Sequence, residues 1–387
     1  MMIRHPRLRT TLAAATAAAA LAAGAFTAAQ AIADPESAPP VAAAPGQTPG
    51  AVYANQVLPA ASLPAGASAG QRYSYWTTGV DERLHLAIAT VVEPKGTKPA
   101  GGWPVVVNAP AGYGVAETCN ASVSRDAADA DTVTQLLRRG YAVITPDYGA
   151  IGASSAPQYI DHTVAARNIV DAVLAGVVVD GDVSPRWAIL GDAQGAGAAI
   201  ALARRAAAWQ NGDVDFRGAA ATSIPAGLDV LVSGLKPGSP AVSESVTADV
   251  VYALASLDAK QLESTLSPKG RQLVAAAKKD SCAPDLRKAV RGVALGDLVS
   301  KPIASNRTLA RQLQGSLTLP RSGFSRPLLL SQTLHDDSVI LHESLRFLAD
   351  AQLASNKVTA KSYLTGDPGD AERQEQSAAL TFLDKLF

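Results

Sequence analysis

The chain has 387 residues, of which 48% are hydrophobic and 18% are charged. Such a composition is too apolar for a chain that is disordered throughout, and the length favours one large domain that carries an insertion. Basic and acidic residues balance at 34 each, so no basic excess indicates nucleic acid or an anionic membrane surface as a partner.

The first residues have the features of a secretion signal. Three arginines precede an Ala-rich apolar run over residues 12–29, and small residues ending at Ala33 offer a cleavage site before Asp34. A membrane anchor is the alternative, but a run dominated by alanine is weakly hydrophobic for a permanent span. We predict a signal peptide over residues 1–33, a secreted product (extracellular or in the cell envelope) and no permanent membrane span.

After the signal, the chain is expected to begin with an arm and a pair of strands. Residues 34–70 are rich in Pro, Ala, Gly and Ser, which is typical of a linker or a wrapping N-terminal arm. Residues 73–78 and 84–92 are two strand-like runs separated by turn residues, so they predict two antiparallel strands.

From residue 103 onward, strands and helices alternate. Apolar runs predict strands at 103–108, 141–145, 186–191, 218–222, 327–331 and 358–363, with helices at 129–139, 161–175, 195–205 and 340–353 and a last helix that docks its apolar face on the sheet. This order predicts an α/β fold in which a mostly parallel central sheet is flanked by helices and binds ligands beyond the C-terminal ends of its strands.

The alternation stops over residues 223–315. Segments 258–266, 268–279 and 284–294 read as helices, so we predict an inserted helical cap over that edge of the sheet. The chain has two cysteines. In an oxidising compartment Cys119 and Cys282 are expected to form a disulfide that ties cap to core, and two free buried thiols are the alternative.

One turn is the centre of the functional argument. Gly191-Asp192-Ala193-Gln194-Gly195 lies between a buried strand and an Ala-rich helix. The spacing is that of the G-x-S-x-G nucleophile elbow of α/β-hydrolases, with alanine in the position of the serine. A methyl group cannot attack a carbonyl carbon.

From about residue 73 to its end, the chain resembles the secretory lipase family of α/β-hydrolases, the group of the fungal lipase-A type. The segments that carry the likeness are 101–107, 141–148, 165–172, 191–199 and the stretch from Leu266 to Cys282. The resemblance implies one α/β-hydrolase domain over residues 71–387 with a helical cap, ester hydrolysis by a Ser-Asp-His triad, and no metal or organic cofactor.

Transferred residue by residue, the resemblance fails where the chemistry takes place. Ala193 occupies the position of the nucleophile and Asp336 that of the acid, while Pro368 stands where family members have the basic histidine. The loop that helps to form the oxyanion hole contains Pro110, which offers no N–H, so backbone groups of Gln194 and near Gly112 are the remaining candidate donors.

Three hypotheses follow. The first is a catalytically degenerate lipase that binds a lipid or ester in a capped cleft. The second is an active triacylglycerol lipase or carboxylesterase with a relocated group, for which the candidates are His335 as base and Ser154 or Ser155 as nucleophile. The third is a structural role in which the protein's own side chains fill the cleft.

Other histidines are expected to have no catalytic part. His335, Asp336, Asp337 and His342 include metal-ligand residue types, but their spacing matches no metal motif. His162, at the start of a helix, is expected on the surface.

Overall fold

The computed structural model describes residues 47–116, 119–122, 127–150, 161–257, 262–279 and 281–387. The predicted signal peptide, the first part of the arm, Ser154 and Ser155 lie outside these residues. So does the first half of the predicted helix at 258–266.

The described strands form one nine-stranded sheet in the order β1-β2-β3-β5-β4-β6-β7-β8-β9. Their bounds are β1 Val52–Val57, β2 Ala67–Thr78, β3 Leu84–Pro94, β4 Trp103–Ala109, β5 Ala142–Ala150, β6 Val183–Asp192, β7 Asp215–Thr222, β8 Leu328–Thr333 and β9 Val358–Tyr363. The pairs from β1 to β3 and the pair β3–β5 are antiparallel, and all pairs from β5 to β9 are parallel. The predicted mostly parallel sheet is therefore confirmed.

Within the residues that the structure describes, the helices are α1 Ala127–Arg138, α2 His162–Val179, α3 Gln194–Trp209, α4 Leu228–Ser233, α5 Glu244–Ala255, α6 Pro268–Lys279, α7 Ala283–Ala289, α8 Arg307–Leu317, α9 Leu341–Ala354 and α10 Pro368–Asp384. Helices α2 and α3 pack on one face of the sheet in a core with Trp187, while α1 and α10 belong to the cluster on the other face. Of the described helices, only α2 is long and apolar enough to cross a membrane, and most of it is buried against the sheet.

A separate hydrophobic cluster is formed by helices α4 to α8, which lie between β7 and β8 in the chain. Helix α6 has the bounds that its sequence pattern predicts, whereas α5 was not among the helices that we expected. Because this cluster buries its own leucines and valines, the segment between the two strands has a core separate from that of the sheet.

The structure differs from expectation at two places. The second half of the N-terminal arm contains β1, whose backbone groups pair with β2 at the edge of the sheet. His162 is 3% exposed, so the expectation of a surface residue was wrong. The end of the distant helix α8 packs near the start of α2 and excludes solvent from this ring.

Candidate functional site

The turn between β6 and α3 is a strained elbow. Ala193 has φ 45° and ψ −105°, a region that residues with a Cβ atom seldom occupy. The glycines on either side allow very close packing. A Cβ atom on Gly191 would lie 2.2 Å from the carbonyl oxygen of Gly195, and one on Gly195 would lie 1.8 Å from the carbonyl oxygen of Ala109. Strand, turn and helix therefore adopt the elbow geometry without a nucleophile.

A cavity of about 550 Å³ opens above this elbow, beyond the C-terminal ends of the central strands. Its walls come from the sheet edge, from the cap and from the first turns of α10. Its lining residues include Asn108, Ala109, Pro110, Gly112, Tyr113, Asp129, Leu190, Asp192, Ala193, Thr222, Ala248, Tyr252, Ala283, Pro284, Arg287, His335, Asp336, Asp337, Ser338, Glu372 and Glu375.

Asp336 lies in this cavity near the elbow. Its Oδ2 atom accepts a hydrogen bond from the Gln332 side chain at 2.9 Å. Its Oδ1 atom accepts one from the Ser338 N–H at 2.8 Å and a second from the Ser338 hydroxyl. The carboxylate that would orient a catalytic histidine thus bonds to an amide and a serine instead.

The position predicted for the base is not brought to the cavity. Pro368 is the first residue of α10 and is exposed, and it is absent from the cavity lining. The carboxylate of Asp367 caps the helix by accepting from the Gly369 N–H at 2.8 Å. Proline suits this position because the first helical N–H needs no intrahelical acceptor.

His335 lines the cavity, but its ring faces a backbone oxygen. Its Nε2 atom lies 2.9 Å from the carbonyl oxygen of Thr365, so this nitrogen carries the proton in the bond. Among the described residues, no histidine nitrogen lies within hydrogen-bonding distance of a hydroxyl in the cavity.

The oxyanion candidates lie on both sides of the elbow. Gln194 is the first residue of α3, and the N–H groups of a first helical turn have no intrahelical acceptor. Gly112 lines the cavity. Between them, the carbonyl oxygen of Pro110 accepts a hydrogen bond from the Tyr148 hydroxyl at 3.0 Å, which fixes the loop against the elbow.

A group of carboxyl side chains on the cavity wall was missed by the sequence analysis. Burial, with the charges of Asp192 and Asp336, raises the pKa of Glu375 to about 8, although a hydrogen bond from Ser331 opposes the shift. Burial likewise raises the pKa of Asp192 to about 6, against a hydrogen bond from Thr222. The signal in the sequence was a glutamate at 375, four residues before Ala379, on the apolar face of the last helix.

The disulfide joins cap and core beside the cavity. Cys119 and Cys282 are bonded, with their Cα atoms 5.4 Å apart. Next to the bridge, the Ala283 N–H donates to the carbonyl oxygen of Tyr113 at 2.6 Å, and both residues line the cavity. Within the described residues, the His, Cys, Asp and Glu side chains form no group of three or more that could hold a metal ion.

Two solved structures, one of an esterase and one of a lipase, share this architecture. The rice cell wall degrading esterase LipA from Xanthomonas oryzae superposes with a TM-score of 0.71 at 20% identity, covering 88% of this chain and 100% of that one. Candida antarctica lipase A in its closed state superposes with a TM-score of 0.70 at 16% identity, covering 88% of this chain and 82% of that one.

No protein-family model matches the chain, and no curated protein matches it. At these identities the structural likeness establishes the fold alone. The chain has the α/β-hydrolase fold.

Proposed function

We propose that this protein is a secreted, lipase-like α/β-hydrolase-fold protein that no longer hydrolyses esters with a serine triad and binds a lipid or ester ligand in its capped cleft. The observation that carries the proposal is the elbow: Ala193 presents a methyl group at the floor of the cavity. In this proposal Asp336 is a retained acid without a base, because position 368 is proline.

The expected drop in turnover supports a loss of ester hydrolysis rather than a partial reduction. Removal of a catalytic nucleophile or base typically lowers turnover about 10⁴–10⁶-fold and leaves only the contributions of oxyanion donors and binding. Here the positions of both groups hold other residues, and Asp336 bonds to Ser338 and Gln332. The oxyanion donors proposed at Gln194 and Gly112 would then act in binding an ester carbonyl.

The carboxyl groups of the cavity wall favour one class of lipid as the ligand. Asp192, Asp336, Asp337, Glu372 and Glu375 all line the cavity, and none of them forms an ion pair with a described residue. Glu375 is largely uncharged at pH 7 because its pKa is about 8, but the carboxyls still outnumber the single arginine of the lining, Arg287. A free fatty-acid anion would therefore meet a net negative wall, which costs free energy. Alanine, leucine and tyrosine side chains supply apolar surface beside these carboxyls, so we propose a neutral acyl ester as the ligand class.

A turnover assay with short- and medium-chain p-nitrophenyl esters tests the catalytic part of this proposal. The purified protein and its Asp336→Ala variant are expected to give equal rates, close to the rate in buffer. Turnover at ordinary lipase rates that Asp336→Ala abolishes would refute it.

Binding is tested separately by titrating the protein with a neutral acyl ester and with the fatty acid of the same chain length, following intrinsic fluorescence. The ester is expected to bind more tightly. A cleft that binds neither ligand would instead support the structural role, in which side chains of the protein occupy the cleft.

One observation keeps an active hydrolase as a second candidate. The Ser338 hydroxyl donates a hydrogen bond to Asp336 inside the cavity, so a relocated serine has a carboxylate partner. A serine-directed fluorophosphonate probe distinguishes the two functions, because it labels only an activated serine. We expect no labelling. Labelling that disappears in Ser338→Ala would favour the active esterase.

Secretion and the division of the chain are part of the same proposal: a signal peptide over residues 1–33, an arm over 34–70, and a hydrolase-fold domain over 71–387 with its cap at 223–315. The second half of this arm adds β1 and the first residues of β2 to the sheet of the domain. The disulfide supports an oxidising location. Mass spectrometry of the protein recovered from culture medium is expected to find Asp34 as the first residue.

A further inference from the structure

The imidazole of His162 lies in the contact between cap and core. The residue begins α2 and is 3% exposed. Its ring rests on α3, one turn beyond the elbow, where a Cβ atom on Gly197 would lie 2.0 Å from the Nδ1 atom. Only glycine at 197 leaves room for the ring.

The end of the cap helix α8 packs beside this ring. The Ser316 hydroxyl donates to the Asp161 carboxylate at 3.1 Å, and the same carboxylate caps α2 by accepting from the Thr163 and Val164 N–H groups. Two residues further along, the Thr318 hydroxyl donates to Asp229 of helix α4 at 2.7 Å. The last turn of α8 is therefore held to the start of α2 by few polar contacts, and the His162 ring is buried beside them.

Neither nitrogen of this ring has a hydrogen-bond partner among the described residues. The titratable groups that bear on it are the carboxylates of Asp161 and Asp229. Both favour a proton on the ring, as does the backbone of Leu317, which lies near it without completing a hydrogen bond. Burial outweighs them and lowers the pKa of His162 to about 4. The ring is therefore neutral at pH 7 and would be charged in water at pH 5.

We propose that His162 makes the contact between α8 and α2 acid-sensitive: when its ring takes up a proton, the last turn of α8 separates from α2 and opens this side of the cap. Separation exposes the charged imidazolium ring to water, and Asp161 and Asp229 become its counter-ions. The inference does not depend on the ligand that the cleft holds.

The size of the effect follows from the two protonation equilibria. In the open form the imidazole is in water and has a pKa near 6.5. Because its pKa is lower in the closed form, the closed form keeps its full stability above pH 6.5 and loses stability as the pH falls below that value. With a closed-form pKa of about 4, the opening equilibrium rises about 30-fold between pH 8 and pH 5.

Hydrogen exchange on the full chain measures this opening. Amides of α8 and of the first turn of α2 are followed at pH 8 and pH 5, with rates corrected for the intrinsic effect of pH. We expect the corrected opening constant to rise about 30-fold at pH 5. His162→Gln, which is neutral at both values, is expected to abolish the rise. His335→Gln, which removes an exposed histidine elsewhere, is expected to retain it.

An unchanged opening constant in the unmodified protein would overturn the proposal, as would a rise that persists in His162→Gln. If that variant does not fold, NMR titration of the imidazoles in the unmodified protein decides instead. The ring of His162 is expected to titrate well below 6.5, the value of an imidazole in water, and new signals from α8 are expected to appear with this titration. A midpoint near 6.5 would contradict the inference.

Discussion

Replacing Ala193 by glycine should stabilise the protein, although glycine usually destabilises. The backbone at this residue has φ 45° and ψ −105°, and a conformation of this kind costs a residue with a Cβ atom about 1–3 kcal/mol. Glycine avoids that cost but loses about 0.5–1 kcal/mol through the entropy of the unfolded chain. Loss of a partly exposed methyl group removes about 0.4 kcal/mol more. The net expectation is a gain of about 1 kcal/mol.

Urea unfolding at fixed pH measures the difference, with Ala349→Gly as the matched control. Ala349 is exposed in the middle of α9, where the same substitution should cost about 1 kcal/mol because the helical backbone is unstrained. The two variants should therefore differ in sign. If Ala193→Gly destabilises the protein as much as Ala349→Gly does, the elbow is not strained and the reasoning is wrong.

Three further predictions concern the surroundings of the cavity. Because the pKa of Glu375 is raised to about 8, the native state loses stability as the pH rises from about 4.5 to 8. The free energy of unfolding of Glu375→Gln, taken relative to that of the unmodified protein, should therefore rise by on the order of 3 kcal/mol between pH 4 and pH 7. Parallel pH profiles of the two proteins would contradict this. Replacing Cys119 and Cys282 by serine, across a sequence separation of 163 residues, should lower the free energy of unfolding by up to about 5 kcal/mol, and an unchanged urea midpoint would contradict the constraint. Gly195→Ala would bring a Cβ atom 1.8 Å from a backbone oxygen and should cost about 3 kcal/mol or more, whereas Gly181→Ala, with no atom within 4 Å, should change the urea midpoint little; equal effects would refute the close approach.

The parts of the fold that could be predicted are those specified locally. Residues 73–78 and 84–92 are two strand-like runs on either side of a short turn, and the structure contains the antiparallel strands β2 and β3 there. The apolar run at 103–108 became β4 in the middle of the sheet. In contrast, β1 lies in a segment whose local composition favours an arm, and it is a strand because β2 offers it a free edge. Strand propensity depends strongly on such neighbours.

The distinction between local and long-range determinants also explains which site residues could be predicted. The elbow could be read from five consecutive residues, since the spacing of its glycines reflects the close approach of strand and helix. The carboxyl group of Glu375 could not, because its burial depends on where α10 meets β8. The burial of His162 likewise depends on α8, which follows it by about 150 residues. Contacts between distant segments carry no short-range signal in a single sequence.

The strained conformation of the elbow has a structural cause. Gly195 packs against the carbonyl of Ala109, Gly197 against the ring of His162, and Gly191 against Gly195 itself. These contacts fix the path of the backbone on both sides of residue 193, so the strained conformation is imposed whatever side chain stands there. The geometry of the turn is therefore evidence of the fold and not of catalysis, and the chemistry of the cleft has to be argued from the side chains that line it. Those side chains include the Ala193 methyl group, several carboxyls, two tyrosines and Arg287, and in the function proposed above they hold an uncharged acyl ester.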